Sequence, residues 1–141
     1  ADDVDCNEKL NTKLNRSEFM PFAPVVRSED RDRFFIGLQK AEHASRFMTV
    51  CCQITKEFKK RAPAATHVDN TARPQIVYPQ QNPWLYELLT YLNDNHNISV
   101  LINTSFNLHE EPIVSTPDEA VRAFRQAGLH ALVLDDALLI A

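Results

Sequence analysis

The stretch Ser99-Val100-Leu101-Ile102-Asn103-Thr104-Ser105-Phe106-Asn107 is the best guide to the fold class of this chain. Residues 99–102 are mainly apolar and predict a short buried strand. Residues 103–107 then place small polar side chains next to one another, with no charge among them. Because ligands in open α/β sheets bind beyond the carboxyl ends of strands, this loop is the first candidate binding site.

Helix-start signals lie on both sides of this stretch. Asn82-Pro83 predicts an N-cap and a first helical position, and apolar residues at helical spacing continue that helix to about Asn95. Residues 116–119, Thr-Pro-Asp-Glu, form a capping-box pattern that opens a second helix, and Gly128 is predicted to end it. Strands and helices that alternate in this way predict an α/β fold with a mixed sheet.

The remaining segments carry weaker signals. A turn at Asp135-Asp136 between two apolar runs predicts a hairpin. The other predictions are a short helix within 5–17, a strand at 22–26, a loop with helical turns at 27–46, a strand at 47–54, a basic patch at 56–61, a loop at 63–65, two extended pieces within 66–78, and strands at 113–114, 131–134 and 138–140.

The composition is that of one ordinary globular domain. The chain has 141 residues, of which 44% are hydrophobic and 24% charged, so we expect neither disorder nor a coiled coil. We predict a single domain over residues 1–141. The two glycines, Gly37 and Gly128, are far apart, which excludes a Walker loop and a dinucleotide fingerprint.

The net charge and the cysteines indicate which binding partners and which cellular compartment to expect. The net charge of −4 argues against nucleic acid as a partner. The sequence has no run of 18 apolar residues, so no membrane helix is predicted. The acidic start without Met or an apolar segment predicts a processed chain or a fragment of a longer protein. The three cysteines, Cys6, Cys51 and Cys52, make a poor disulfide framework. We expect the adjacent pair to be buried, reduced and inert in a cytoplasmic protein.

The polar loop carries the chemistry that a nucleotide needs. The side chains of Asn103, Thr104, Ser105 and Asn107 can donate hydrogen bonds to phosphate oxygens or to a base edge. The alternative is that the same groups cap the backbone of their own loop.

Cationic side chains form a second candidate constellation. Lys13 and Arg16 lie three residues apart on a helical stretch and are placed to face one anion. Arg73 follows Ala72 in an otherwise apolar extended segment, where it is either solvated, paired with an acid or, in a cleft, a bidentate phosphate clamp. His67 would share a strand face with Asp69, but a metal needs further ligands, so no metal site is predicted.

Three blocks of this sequence resemble the NodU/CmcH family of carbamoyltransferases and occur in the family's order. Residues 14–24 resemble "R-E/T-x-F-x-P-F-A-P", residues 66–75 resemble "THVDGSARxQ", and residues 101–114 resemble "LLNTSFNxxGEPIV". Three positions depart from these patterns: Met20 replaces an arginine, and Asn70 and Glu110 replace glycines.

The resemblance implies a YrdC-like module, with a mixed twisted sheet and flanking helices, at the C-terminus of a two-domain protein. It implies that the module makes carbamoyl-adenylate from carbamoyl phosphate and ATP with Mg²⁺. An N-terminal ASKHA-like domain of the same protein would then transfer the carbamoyl group to a hydroxyl acceptor. The family's nucleotide-binding Ser-x-Asn corresponds to Ser105 and Asn107, and its clamp arginine to Arg73.

We therefore predict ATP-dependent carbamoyl activation by a cytoplasmic protein. The alternatives are a YrdC-like module that binds a nucleotide or RNA without chemistry, and an interaction domain. The residues predicted to bind ATP and carbamoyl phosphate are Lys13, Arg16, His67, Arg73, Asn103, Thr104, Ser105 and Asn107.

Overall fold

The computed structural model describes residues 1–13, 22–108 and 110–141. The chain divides into two compact units. The first unit consists of Ala1–Cys6 and Pro21–Asn103, and the second of Asn7–Met20 and Thr104–Ala141. Helices and strands together make up both units, which confirms the α/β class. The single domain over residues 1–141 and the likeness to YrdC stay predictions.

The described residues form short helices and short strands. The helices are α1 (Cys6–Lys13), α2 (Arg31–Phe34), α3 (Glu42–Ser45), α4 (Lys56–Arg61), α5 (Pro83–His96) and α6 (Pro117–Gln126). The strands are β1 (Ala23–Arg27), β2 (Phe35–Ile36), β3 (Cys52–Ile54), β4 (Thr71–Ala72), β5 (Gln75–Val77), β6 (Leu101–Asn103), β7 (Ala131–Leu134) and β8 (Ala137–Ile140). None of the helices in these ranges is long and apolar enough to cross a membrane.

The first unit contains a mixed sheet in the order β5-β1-β6. The central strand β1 runs parallel to β5, with Val25 opposite Gln75, and antiparallel to β6, with Ala23 opposite Asn103. This register brings the start of β5, at Gln75, and the end of β6, at Asn103, to the same part of the sheet. A second sheet, β2-β3-β4, is antiparallel.

Three phenylalanines occupy the core of the first unit. Phe34, Phe35 and Phe58 are each at most 2% exposed, and the rings of Phe34 and Phe58 meet edge to face at 5.8 Å. Phe58 belongs to α4, whose N-cap Thr55 accepts a hydrogen bond from the Phe58 N–H at 3.2 Å. Residues 56–61 were expected only as a basic patch. They form a helix because Thr55 caps it and Phe58 anchors it in the core.

Several strand predictions were wrong in extent. The strand expected at 47–54 is confined to Cys52–Ile54, because Met48 adopts a left-handed backbone with φ of 56° that interrupts an extended run. No strand forms at 113–114, where Ile113 is 65% exposed. The strand expected at 99–102 lies at Leu101–Asn103, so it begins two residues later and ends one residue later than expected.

The expected burial of the cysteine pair was also wrong in part. Cys51 is exposed, and Cys52 is half-buried. Burial, together with the neighbouring Cys51, raises the pKa of Cys52 to about 12. The Cys52 thiol is therefore protonated and inert at neutral pH, as expected.

The second unit packs α6 against the β7–β8 hairpin, and Ala120, Phe124 and Leu132 form its buried core. The capping box is confirmed, since the Thr116 hydroxyl accepts from the Glu119 N–H and the Glu119 carboxylate accepts from the Thr116 N–H, both at 3.3 Å. The predicted hairpin is confirmed as well.

Left-handed backbone occurs at both positions where the family pattern has glycine. Asn70 has φ of 60°, which confirms the turn expected there, and Glu110 has φ of 61°. Asparagine tolerates this conformation, whereas a glutamate pays a steric cost for it.

We expect Glu110→Gly to stabilise the second unit by about 1 kcal/mol, because glycine has no Cβ to clash. Native-state hydrogen exchange of the α6 amides measures this, and protection should rise by about fivefold. Glu110→Ala is the matched control, since it removes the same carboxylate but keeps the Cβ. Equal protection in both variants would show that strain at Glu110 is not the cause.

Candidate functional site

A tight turn in the first unit orders the side chains of His67, Asp69 and Thr71. The His67 N–H donates to the Thr71 carbonyl at 2.8 Å, and the Asn70 N–H donates back to the His67 carbonyl at 3.0 Å. The Asp69 carboxylate accepts from the Thr71 N–H at 3.0 Å and from its hydroxyl at 2.7 Å. Nδ1 of His67 lies 2.9 Å from the same hydroxyl oxygen. The imidazole is therefore held at one end and not free to rotate.

The surroundings of the turn lower the pKa values of both Asp69 and His67. The hydrogen bonds from Thr71 are the main cause that lowers the pKa of Asp69 below its ordinary value. Burial lowers the pKa of His67, Asp69 opposes this, and the nearby Arg73 guanidinium lowers it further. At neutral pH Asp69 is thus ionised and His67 is neutral.

Arg73 lies on the same face as Thr71 because side chains along the extended segment 71–77 alternate between its two faces. Ala72, Pro74 and Ile76 are buried in the core. Side chains of an extended segment alternate between its faces, so Arg73 lies on the opposite face and is half-buried. Its Nη1 donates to the carbonyl oxygen of Met48 at 3.4 Å.

Arg73 has no acidic partner among residues 1–13, 22–108 and 110–141. Its interaction with Met48 is a long hydrogen bond to a neutral carbonyl. Arginines that are fully buried are ordinarily paired with a carboxylate, and the half-buried Arg73 keeps access to solvent and to a ligand. Within the described chain, Arg73 is therefore a cation available to an anionic ligand.

Asn103 contacts the same part of the first unit from the end of β6. Its Nδ2 donates to the Gln75 carboxamide oxygen at 2.8 Å across strand β1 and lies 3.7 Å from the sulfur of Met48. Met48 is thus in contact with both Asn103 and Arg73. We call His67, Arg73, Gln75 and Asn103 the first-unit polar cluster.

Two members of this arrangement were not selected from the sequence. Gln75 holds the Asn103 carboxamide, and Thr71 holds the His67 ring. Both lie inside the block 66–75. Alternate residues of an extended segment share a face, so the pattern that places Arg73 opposite Ala72 and Pro74 also places Thr71 and Gln75 beside it.

The polar loop of the second unit is tied together by its own side chains. The Ser105 hydroxyl donates to the Asn107 carboxamide oxygen at 2.6 Å. The Asn107 Nδ2 donates to the carbonyls of Leu108 and Glu111 at 3.1 and 2.8 Å. The loop is joined to α6, since the Glu111 carboxylate accepts two hydrogen bonds from Arg122. Asn107 therefore caps its own loop, and Ser105 presents an exposed hydroxyl.

The remaining predicted residues are placed as follows. Thr104 belongs to the second unit and is half-buried. Nζ of Lys13 donates to the carbonyl of Gly128 at 2.9 Å, just beyond the end of α6. Arg16 and Met20 lie outside the described residues. His67, Arg73 and Asn103 thus come together in the first unit, and Thr104, Ser105 and Asn107 in the second.

The described side chains contain no group of three His, Cys, Asp or Glu that is arranged to hold a metal ion. A cavity of about 170 Å³ in the first unit is lined by Asp2, Arg61 and residues 97–100. A second cavity, of about 420 Å³, lies between Phe124 and Ile140 in the second unit. Neither cavity is lined by a predicted site residue.

Residues 1–140 match the family model described as the carbamoyltransferase C-terminus. The chain therefore belongs to the family of carbamoyltransferase C-termini.

The chain is also similar to several longer proteins, one of which is named as a carbamoyltransferase. A nodulation protein NolNO of Sinorhizobium fredii is 32% identical over 94% of the chain. A 3'-hydroxymethylcephem-O-carbamoyltransferase of Streptomyces clavuligerus is 31% identical over 92%. An uncharacterized protein of Methanocaldococcus jannaschii is 36% identical over 96%. The chain spans only 19%, 24% and 22% of the length of these three relatives, respectively.

Proposed function

We propose that this chain is the carbamoyl-activating part of an O-carbamoyltransferase. The observation that carries the proposal is the half-buried Arg73, which has no acidic partner in the described chain and lies beside a neutral imidazole. A guanidinium presents parallel N–H groups that match two oxygens of one phosphate. Family membership supplies the reaction class, and a relative named as a 3'-hydroxymethylcephem-O-carbamoyltransferase supports a hydroxyl acceptor.

The proposed reaction consumes carbamoyl phosphate, ATP and one water and yields carbamoyl-adenylate, pyrophosphate and phosphate. An acceptor hydroxyl then attacks the carbamoyl carbon and gives its proton to water, and AMP leaves with the electrons of the broken C–O bond. Neither step requires a nucleophile from the protein. Catalysis rests instead on cations that offset phosphate charge and on groups that orient the reactants.

In this proposal each unit has a separate task. Arg73 binds the phosphate of carbamoyl phosphate, and the carboxamide of Asn103, held by Gln75, presents its polar edge to the same ligand. On binding ATP, the exposed Ser105 hydroxyl turns its single proton from the Asn107 carboxamide oxygen to a phosphate oxygen, while the Asn107 amide keeps the loop in shape through the carbonyls of Leu108 and Glu111. Mg²⁺ arrives with ATP, and its ligands are phosphate oxygens and water. Lys13 and Arg16 add positive charge for the nucleotide.

The transfer step belongs to another part of the protein. The relatives are about four to five times longer than this chain. We assign transfer to an ASKHA-like domain N-terminal to it, as the family resemblance implies. Such a division keeps the reactive adenylate within one polypeptide and limits its hydrolysis.

Pyrophosphate release by the full-length protein tests the proposal. We expect release from ATP and Mg²⁺ only when carbamoyl phosphate is present, in amounts equal to the sum of the carbamoyl-adenylate and the AMP formed. Omission of either substrate is the control. ATP binding by calorimetry without any pyrophosphate would refute activation and favour the alternative, a nucleotide-binding module without chemistry.

A further inference from the structure

The hydrogen bonds of the 67–71 turn determine which nitrogen of His67 carries the proton. The Thr71 hydroxyl has a single proton, and the ionised Asp69 carboxylate can only accept. At 2.7 Å from that carboxylate, the hydroxyl donates to Asp69. It must then accept at its other contact, 2.9 Å away, so Nδ1 of His67 is the protonated nitrogen.

The second ring nitrogen is left as a hydrogen-bond acceptor. A neutral imidazole with its proton on Nδ1 has a lone pair on Nε2. No hydrogen bond reaches Nε2 from any residue within 1–13, 22–108 or 110–141. The Arg73 guanidinium near the ring disfavours a second proton there. Arg73 lies on the same face of the extended segment as Thr71, the residue that holds the ring, so this face presents both a cation and a neutral acceptor.

We propose that Nε2 of His67 accepts a hydrogen bond from the N–H of the carbamoyl group while Arg73 holds the phosphate, so that His67 selects carbamoyl phosphate over other acyl phosphates. This rests on the proposed function of the chain. Carbamoyl phosphate carries an anionic phosphate and an N–H donor on one small molecule. Acetyl phosphate is similar in size and charge but has a methyl group in place of the amino group.

Discrimination by such a site has a simple physical origin. When acetyl phosphate binds, its methyl group displaces water from Nε2 and offers no proton in return. A site built around a substrate N–H rejects the analogue that lacks it, because its own polar group is left unpaired. Thr71 is a positioning residue in this scheme, since it fixes the ring without touching the ligand.

Kinetics of the full-length protein provide the first test. The KM for carbamoyl phosphate and the inhibition constant of acetyl phosphate are measured from carbamoyl-phosphate-dependent pyrophosphate release. In His67→Ala we expect the KM to rise about tenfold, the contribution of one hydrogen bond, while the inhibition constant changes less than about twofold. His67→Gln, whose carboxamide oxygen can accept, should recover part of the loss. His130→Ala, at an exposed histidine, is the control.

A matched pair at Thr71 separates positioning from folding. Thr71→Ser keeps the hydroxyl that links Asp69 to His67, and Thr71→Val removes it at nearly constant volume. Nitrogen-15 spectra should show the Nδ1–H tautomer of His67 in the unaltered protein and in Thr71→Ser, and a mixture in Thr71→Val. The ratio of the two constants should follow the tautomer.

Each outcome bears on one claim. An unaltered protein that releases no pyrophosphate refutes the proposed function, whereas His67→Ala with an unchanged ratio of the two constants overturns only the role of His67. A spectrum showing the proton on Nε2 of the unaltered protein overturns that role by itself, even if His67→Ala does not fold.

Discussion

Arg73→Ala lowers kcat/KM for carbamoyl phosphate by about 100-fold or more in the full-length protein, if Arg73 clamps the phosphate as proposed. Two charge-assisted hydrogen bonds of about 1.5 kcal/mol each account for a change of that size. Arg73→Lys should also lose at least about tenfold, because an ammonium offers a point charge rather than a planar fork. Pyrophosphate release measures both variants.

Stability should change little in these variants. The hydrogen bond of Arg73 to the Met48 carbonyl is 3.4 Å long and adds little to folding. We expect the thermal midpoint to fall by no more than about 2 °C. Arg125, exposed in the last turn of α6, supplies matched controls, and Arg125→Ala and Arg125→Lys should both be fully active. Full activity of Arg73→Lys would remove the bidentate role.

Local sequence signals predicted the helices of the second half of the chain well. An N-cap followed by proline specifies the start of α5 at Pro83, and the capping box does the same for α6 at Pro117. These signals involve residues within one helical turn, so the sequence displays them directly. The hairpin around Asp135 is likewise a local feature.

Long-range contacts were beyond the reach of the sequence pattern. The parallel pairing of β1 with β5 joins residues about fifty positions apart, and the sequence of neither strand indicates which strand it pairs with. The sequence pattern did not predict helix α4, because five of its six residues, 56–61, are polar or charged and only one aromatic residue, Phe58, anchors it. One buried side chain is too weak a signal for periodicity analysis.

The candidate site was predicted in part. Arg73 and His67 were selected from the motif that carries them, and the structure adds that Thr71 holds the His67 ring and that Arg73 and Asn103 both contact Met48. The motif does not show that Thr71 orients His67 or that Gln75 holds Asn103, because both depend on the direction of side chains. Those directions are set by packing in the first unit.

Asn107→Ala should destabilise the second unit and weaken ATP binding, whereas Ser105→Ala should affect binding alone. Asn107 holds the carbonyls of Leu108 and Glu111, so truncation leaves two half-buried acceptors without their donors and costs about 1–3 kcal/mol. Protection of the α6 amides against hydrogen exchange should fall at least about fivefold in Asn107→Ala. Ser105 is exposed, and its loss should leave protection within about twofold.

Affinity for ATP then distinguishes a binding loop from one that only caps itself. If the Ser105 hydroxyl donates to a phosphate oxygen, Ser105→Ala should weaken ATP binding by about tenfold in calorimetry of the full-length protein with Mg²⁺. Asn95→Ala is the control, because the exposed Asn95 amide also donates to a carbonyl, that of Tyr91, within α5. Unchanged ATP affinity in Ser105→Ala, together with lost protection in Asn107→Ala, would mean that the polar loop is purely structural. The nucleotide would then have to be held elsewhere in the protein. The role of Arg73 would still be decided by the kinetics of the Arg73 variants.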